Sequence, residues 1–402
     1  MVLARTPEAL RAGLAALDDR ALRRRRVTAV ARYDDAAERP QAAHLQIDGQ
    51  HVVNFCGNDY LGLATHPALI AAMSAAAGRY GAGSGASHLV TGHGPEHAAL
   101  EQELAEFTQR ERALLFSSGY MANLGVLGSL VDRHDLMLQD QLNHASLLDA
   151  GLLSRATLRR YPHLDAAAAR ERLRDFRAAR PQAGALIATD GVFSMDGDVA
   201  PLGALATLAR QSGAWLLVDD AHGLGVLGER GGGAVEAAGL SADDVPVLIG
   251  TLGKALGSFG AFVAGDADLI ETLLQRARTY IYTTALPQPV AAATRAALRL
   301  VQRESWRREQ LRTLTQRFRE RAGARGIALG VSQTPIQPVI LGSAETALAA
   351  SEALRYAGFW VVAIRPPTVP EGSARLRITL SAAHTEAEVD ALVVALDAAL
   401  HA

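Results

Sequence analysis

Of the forty basic residues in this 402-residue chain only one, Lys254, is a lysine. A guanidinium keeps its proton near neutrality, so any chemistry that needs a free amine on a side chain has one place to happen. Cysteine is as scarce, and Cys56 alone excludes an internal disulfide. No apolar run approaches the length of a membrane span, and the start of the chain, where Arg5 and Arg11 flank no long apolar core, does not read as a secretory signal. A soluble protein of a reducing cytoplasm is expected. Charge of either sign is not in excess: the net charge is −2 with acidic and basic residues interspersed, which argues against nucleic acid or another polyanion as partner. The run Arg23 to Arg26 is expected on a helix surface. There is no internal repeat and, despite abundant alanine, no low-complexity tract.

What is present suits two domains, or one large α/β domain with an appendage. Thr6-Pro7-Glu8 places a cap before a proline at the first helical position, and Leu10, Leu14 and Leu17 recur at helical spacing, predicting an amphipathic helix that runs into the arginines. A polar, irregular stretch is expected next, then a short strand at His51 to Phe55 and a turn-rich segment at Asn58 to Gly62, closing an N-terminal arm over 1–66. From 67 to 287 helical segments alternate with short apolar runs at Ala113 to Phe116, Leu136 to Leu138, Leu186 to Ala188, Trp215 to Val218, Val247 to Ile249 and Ala261 to Ala264. That pattern predicts a mostly parallel sheet covered by helices, with ligands bound beyond the carboxyl ends of its strands. Residues 288–402 predict a smaller α+β domain: one long arginine-rich helix over Gln288 to Ala324, then strands at Val339 to Leu341, Phe359 to Ile364 and Leu376 to Leu380.

The segments rich in chemistry all follow strands. Lys254 lies in Gly250-Thr251-Leu252-Gly253-Lys254-Ala255, which is no phosphate-binding P-loop, since Leu248 stands where the first glycine belongs and Ala255 follows the lysine. Trp215 to Val218 deliver Asp219 and, three residues on, His222, equally a strand-end aspartate satisfied by loop amides or a pair suited to tuning a cofactor ring. Gly223 to Gly228 spell G-x-G-x-x-G, but the glycines at 231–233 would break the helix that a dinucleotide site requires, so a nicotinamide dehydrogenase is rejected. Phe116 to Asn123 read as strand, turn and helix, either an ordinary connection or one whose N-terminal amides would face an anion, with Tyr120 able to add a ring contact. His144 follows a strand where a ring can stack on a flat cofactor or cap the next helix. Asp190 to Asp198 carry carboxylates without metal-ligand spacing, and Ser194 can donate to a ring substituent. His93-Gly94-Pro95-Glu96-His97 spells H-x-x-E-H, but Gly94-Pro95 starts the helix between the histidines, and no metal is expected. Arg365, Arg375 and Arg377 surround a proline pair, and an arginine is the natural fork for a substrate carboxylate.

Taken in order, NFCGNDYLGL, GAGSGASHLVTGH, FSSGYMANLG, DQLNHASLLDA, TDGVFSMDGDVAPL, VDDAHGLGVLG, GTLGKALGSFGAFVAG, YIYTTALP and IRPPTVPEGSARLRITLSAAHT resemble the α-oxoamine synthase family of pyridoxal-phosphate (PLP) enzymes, of the aspartate-aminotransferase-like fold class, across nearly the whole chain. The resemblance implies fold type I, PLP as cofactor, a homodimer with a shared active site, and decarboxylating condensation of an amino acid with an acyl thioester. DDAHGLGVLG and IRPPTVP look most like the members that join L-alanine to a pimeloyl thioester, on coenzyme A or acyl carrier protein, in biotin synthesis; sister enzymes use glycine or serine. By motif, Lys254 would bond the cofactor and move the α-proton, Asp219 would pair with the ring nitrogen, His222 and Ser194 with the ring oxygen, and His144 would stack on the ring. Gly119, Tyr120 and Thr251 would hold the phosphate, joined by Thr283 or Thr284 of a second copy. Asn58 and Arg377 resemble the residues that receive the amino acid's carboxylate, Arg23 and Thr368 those lining the acyl side, and His88 stands at a position that bears on acyl choice. A protein that kept the fold only for binding would lose Asn58 and Arg377; both are present.

Overall fold

The structure, a computed structural model, describes residues 6–34 and 39–401; Arg5 lies outside them. The described chain folds as two compact units, one comprising Asn58–Ser194 and Asp198–Glu309, the other the described residues up to Gly57, Met195–Gly197 and the chain from Gln310 on. The N-terminal arm as far as Gly57 therefore groups with the C-terminal block.

In that smaller unit the first helix, Pro7–Asp19, begins as expected, the Thr6 hydroxyl accepting the Ala9 N–H at 3.3 Å. It stops short of the arginines. Ala21 takes the left-handed conformation, φ 53°, and the N–H groups of Ala21 and Leu22 bond Asp18 O and Leu17 O at 3.0 and 2.8 Å. This is the helix-ending pattern that glycine usually serves, here built on alanine, so Arg23 to Arg26 lie beyond the helix and not on its surface. The stretch expected to be irregular instead holds strands β1 (Ala29–Asp34) and β2 (Arg39–Ile47), antiparallel to each other, and β2 continues into β3 (Gln50–Asn54). The β2–β3 turn is Asp48-Gly49, both at positive φ, 50° and 80°, the two-residue turn whose twist matches paired strands. That dipeptide was legible in the sequence and was masked by its polar flanks.

The larger unit carries seven strands, β4 (Arg112–Phe116), β5 (Leu136–Asp140), β6 (Thr157–Tyr161), β7 (Ala185–Asp190), β8 (Trp215–Asp219), β9 (Val247–Thr251) and β10 (Ala261–Gly265), in the order β4-β10-β9-β8-β7-β5-β6. The run from β6 to β9 is parallel, and β10 lies antiparallel to both β9 and β4. Leu136, Leu138, Leu216, Leu217 and Val263 are fully buried, as a sheet covered on both faces requires. Only β6 was not expected: it is an edge strand, half exposed, and its sequence TLRRY lacks an apolar run. The long arginine-rich helix is two helices, Gln288–Arg303 and Trp306–Ala324, and the chain passes from the larger unit to the smaller just after the break. Ser305 O restarts the ladder by accepting the N–H groups of Arg308 and Glu309.

Beyond it lie β11 (Ile336–Gly342), β12 (Phe359–Trp360), β13 (Val362–Ile364) and β14 (Ala374–Thr379). The single strand expected over Phe359 to Ile364 divides at Val361: β12 adds in parallel to β3 in the sheet β1-β2-β3-β12, and β13 pairs with β14 in the sheet β11-β14-β13.

One glycine near the lysine has no tolerance for a side chain. Gly257 sits at φ 60°, and a Cβ there would come within 2.4 Å of Ala64 N and 2.6 Å of Leu63 C, both backbone atoms. Gly257→Ala is expected to cost about 2 kcal/mol or more, from backbone strain and overpacking together. Urea titration of the variant checks this; unchanged stability would contradict it.

Candidate active site

The carboxyl ends of the parallel strands β5, β7, β8 and β9 carry Asp140, Asp190, Asp219 and Thr251, so the fold converges its polar groups at one edge of the sheet. Asp219, buried, accepts from Asn123 Nδ2 at 2.7 Å and from the Ala221 N–H at 3.1 Å. Asn123 also donates to Ser146 Oγ at 2.8 Å, and Ser146 Oγ meets His144 Nδ1 at 2.7 Å. A chain of hydrogen bonds thus runs from Asp219 to the His144 ring. His144 does cap the helix Ala145–Leu153, accepting the Ser146 N–H at 3.2 Å, while the residue as a whole remains exposed. Its pKa is lowered, first by crowding that strips water from the ring and then by the Lys254 ammonium, against the pull of Asp219. A neutral, accessible imidazole results, suited to lie against a flat ring.

Next along the sheet edge, Lys254 Nζ is 2.8 Å from His222 Nε2, and His222 Nδ1 is 2.7 Å from the hydroxyl of buried Tyr60. The only amine on a side chain is therefore held through an imidazole and a phenol. Asp190 pairs in register with Asp219 and accepts the His144 N–H at 2.6 Å. Burial, and secondarily the charge of Asp219, push its pKa well above the carboxylate range, which favours its neutral form.

On the phosphate side, Ser118 Oγ and Ser118 O take the N–H groups of Met121 and Ala122, which leaves the amides of Gly119 and Tyr120 as the remaining donors of the first turn of helix Gly119–Leu130. A Cβ at Gly119 would meet nothing within 4 Å, so this helix end opens onto space. The Tyr120 hydroxyl is committed to Asp149. Thr251 Oγ1 donates to Gly260 O at 3.1 Å. Thr283 Oγ1 donates to Thr279 O at 2.7 Å, while Thr284 is exposed. Ser194 is partly buried in the loop after β7. The turns at Gly223 to Gly228 open no helix, in line with the rejected dinucleotide reading.

His163 braces the loop that carries Ser194, its Nδ1 3.0 Å from Asp140 Oδ1 and its Nε2 2.8 Å from Asp198 Oδ2. Burial pushes the imidazole's pKa down, but the two carboxylates outweigh it and bring it up to about 9. Because the folded value lies above the unfolded one near 6.5, the stabilisation is complete below about pH 6.5 and is lost as pH rises through 9. His163→Gln is expected to flatten the fall in stability between those limits in denaturant titrations; an unchanged slope would contradict it.

Of the other candidates, Asn58 and His88 lie in the larger unit, Asn58 Oδ1 accepting from the Tyr60 hydroxyl at 3.3 Å and His88 being buried, and the rest belong to the smaller. Arg375 is paired with Asp196, and Arg365 donates to Ala21 O, so neither is offered to a substrate as the sequence allowed. Arg377 is buried in β14. Arg23 pairs with Asp18 at 2.6 Å, and Thr368 accepts from Arg24 at 3.0 Å. Tyr60, Asn123 and Ser146 were missed as site residues. Asn123 left a signal, as the one amide in the mostly apolar helix GYMANLGVLGSL.

The donor set fits pyridoxal phosphate: an amine for its carbonyl, a buried carboxylate for its ring nitrogen, an imidazole for its ring oxygen and an open helix N-terminus for its phosphate. Asn123 Oδ1, buried without a hydrogen-bond partner among the described residues, marks the same edge as unfinished by protein atoms alone.

Comparison with known proteins agrees. The profile of the class I and II aminotransferases matches residues 50–396. The 8-amino-7-oxononanoate synthase of Thioalkalivibrio sulfidiphilus is 59% identical over 377 residues, 94% of this chain and 95% of the relative. Among solved structures, the serine palmitoyltransferase of S. paucimobilis, with PLP and myriocin bound, superposes with a TM-score of 0.89 at 29% identity over 99% of this chain and 98% of that one. The 8-amino-7-oxononanoate synthase of Francisella tularensis gives 0.73 at 32% identity, over 86% and 97%.

Proposed function

We propose a reaction from the premise that the chain belongs to the 8-amino-7-oxononanoate synthases within the class I and II aminotransferase family. It is a PLP-dependent acyltransferase that condenses L-alanine with a pimeloyl thioester, giving 8-amino-7-oxononanoate, carbon dioxide and the free thiol in biotin synthesis. The observation that carries this is the lone Lys254 amine, 2.8 Å from His222 Nε2 and on the same sheet edge as Asp219.

Bound there, pyridoxal phosphate supplies an electron sink that stabilises negative charge on the amino acid's α-carbon. Lys254 would hold it covalently, and its amine would take the α-proton of alanine and return one at the end. Asp219, fixed by Asn123, would keep the ring nitrogen protonated; His222 and Ser194 would hold the ring oxygen, and His144 the ring face. Gly119 and Tyr120 would bind the phosphate through their amides, with Thr251 once its hydroxyl turns from Gly260. Arg377 and Asn58 would orient the amino acid's carboxylate, and Arg23 and Thr368 would face the acyl chain. The α-carbon then bonds the acyl carbonyl as the carbon–sulfur bond breaks, the carboxylate leaves as carbon dioxide, and the α-carbon is reprotonated.

A homodimer completes the phosphate site with Thr284 of the second copy, whose exposure suits that role better than the engaged hydroxyl of Thr283. The exposed stripe of Leu10, Leu14 and Leu17 is an apolar face that a second copy would cover. Arg24 to Arg26 are exposed and form a basic edge suited to an acidic carrier protein. No described helix is long and apolar enough to cross a membrane, and the cytoplasm is the compartment proposed. Mass spectrometry of the holoenzyme supplied with pimeloyl-coenzyme A or pimeloyl acyl carrier protein, and in turn L-alanine, glycine and L-serine, tests the assignment. It predicts 8-amino-7-oxononanoate from L-alanine; a product chiefly from glycine or serine would overturn it.

A further inference from the structure

In a second part of the larger unit the fold gathers three imidazoles. His88 opens the single π-helical turn His88–Gly92, His93 follows it, and His97 lies in the first turn of helix Pro95–Phe107. One ring nitrogen of each lies within 4.8 Å of the other two, with His88 Nδ1 and His93 Nδ1 3.0 Å apart. The spacing of His93 and His97 alone gave no metal site; His88, five residues upstream, adds a third nitrogen.

Metal-binding histidines commonly anchor one nitrogen on a carbonyl or carboxylate and turn the other inward. His97 does so, its Nε2 donating to Leu286 O at 2.5 Å, and His93 Nε2 stands 3.9 Å from the Glu101 carboxylate, within its field but beyond hydrogen-bond reach. His88 is fixed by stacking on Tyr280, ring centroids 4.9 Å apart and 11° from parallel. Around a tetrahedral ion at about 2.0–2.1 Å, ligand nitrogens stand roughly 3.4 Å apart, so the His88–His93 pair needs to open only slightly while His97 closes in. His97 Nδ1 now accepts the Gly94 N–H at 2.9 Å, a bond that the ion would displace. Burial lowers the pKa of all three rings, so they are neutral and their lone pairs are available near pH 7. His88 and His97 are buried, whereas the side chain of His93 is 31% exposed and gives access from solvent.

We propose that His88, His93 and His97 bind one divalent first-row cation of the kind that favours imidazole, such as zinc, with water completing the shell, at a site separate from the catalytic lysine. The ion ties the glycine-rich loop that ends at Gly94 to the helix after it and to the segment at Leu286. The test uses untagged holoenzyme, stripped with a chelator, dialysed and titrated with zinc chloride by calorimetry, beside His93→Ala, His88→Ala and, as a control, His134→Ala, which removes an exposed histidine elsewhere. One zinc per chain is expected in the parent and in His134→Ala, with affinity weakened about 100-fold or more in His93→Ala and His88→Ala. His93 is not part of the core, so its variant should fold even if His88→Ala does not. Absence of stoichiometric binding in the parent, or binding unchanged in His93→Ala, would overturn the proposal.

Discussion

Lys254→Ala is expected to lower kcat by about 10³-fold or more, because the same amine serves as covalent anchor and as proton carrier and general acid–base catalysis alone is worth about 10²–10⁴. No other lysine is present to mask such a loss. Here every other basic side chain that replaces lysine is a guanidinium, which cannot stand in at neutral pH. The amine also reaches His222 Nε2 at 2.8 Å, so its removal leaves the His222–Tyr60 pair intact and the fold should survive. Steady-state assay with L-alanine and the pimeloyl thioester, with circular dichroism to confirm folding, checks this. A folded variant within tenfold of the parent would contradict the assigned role.

The second large effect belongs to Asp219→Asn, which preserves shape and removes the charge that would keep the ring nitrogen protonated. A fall in kcat of about 10²–10⁴ is expected, the range of a lost charge-stabilising group at a reacting centre. Asn123 donates to Asp219 at 2.7 Å and so positions that carboxylate. Asn123→Ala should therefore cost less, about tenfold, corresponding to one hydrogen bond to a charged group. Equal losses in the two variants would mean that Asp219 acts through packing rather than charge.

How much of this was legible in the sequence depended on burial. The strands covered on both faces read as unbroken apolar runs, and six of the seven in the large sheet lie where those runs stood. Strands without apolar runs were not legible in that way: β6, at the sheet edge, reads TLRRY, and β1 and β2 are polar, with the Asp48-Gly49 turn between β2 and β3 as the only local cue. The first helix was foreseen to its cap, but not its end, because Ala21 occupies a conformation that alanine rarely adopts. At the site, the residues on strand ends were identified by their place after apolar runs. Their supports were not, since Tyr60 and Asn123 reach His222 and Asp219 across 162 and 96 residues of sequence. Long-range hydrogen bonds leave no periodicity to read. The histidine cluster shows the same limit, as its third member belongs to a π-helical turn that no local pattern announced.

The central claim is that the chemistry runs through one amine, and a chain with a single lysine lends itself to a direct measurement. The holoenzyme is reduced with borohydride, digested and mapped by mass spectrometry, with and without prior addition of L-alanine. The prediction is a pyridoxyl adduct on the peptide bearing Lys254, stoichiometric in the resting enzyme and much reduced when L-alanine is added first. An unmodified Lys254 peptide in the resting holoenzyme, or an adduct that L-alanine leaves unchanged, would contradict it.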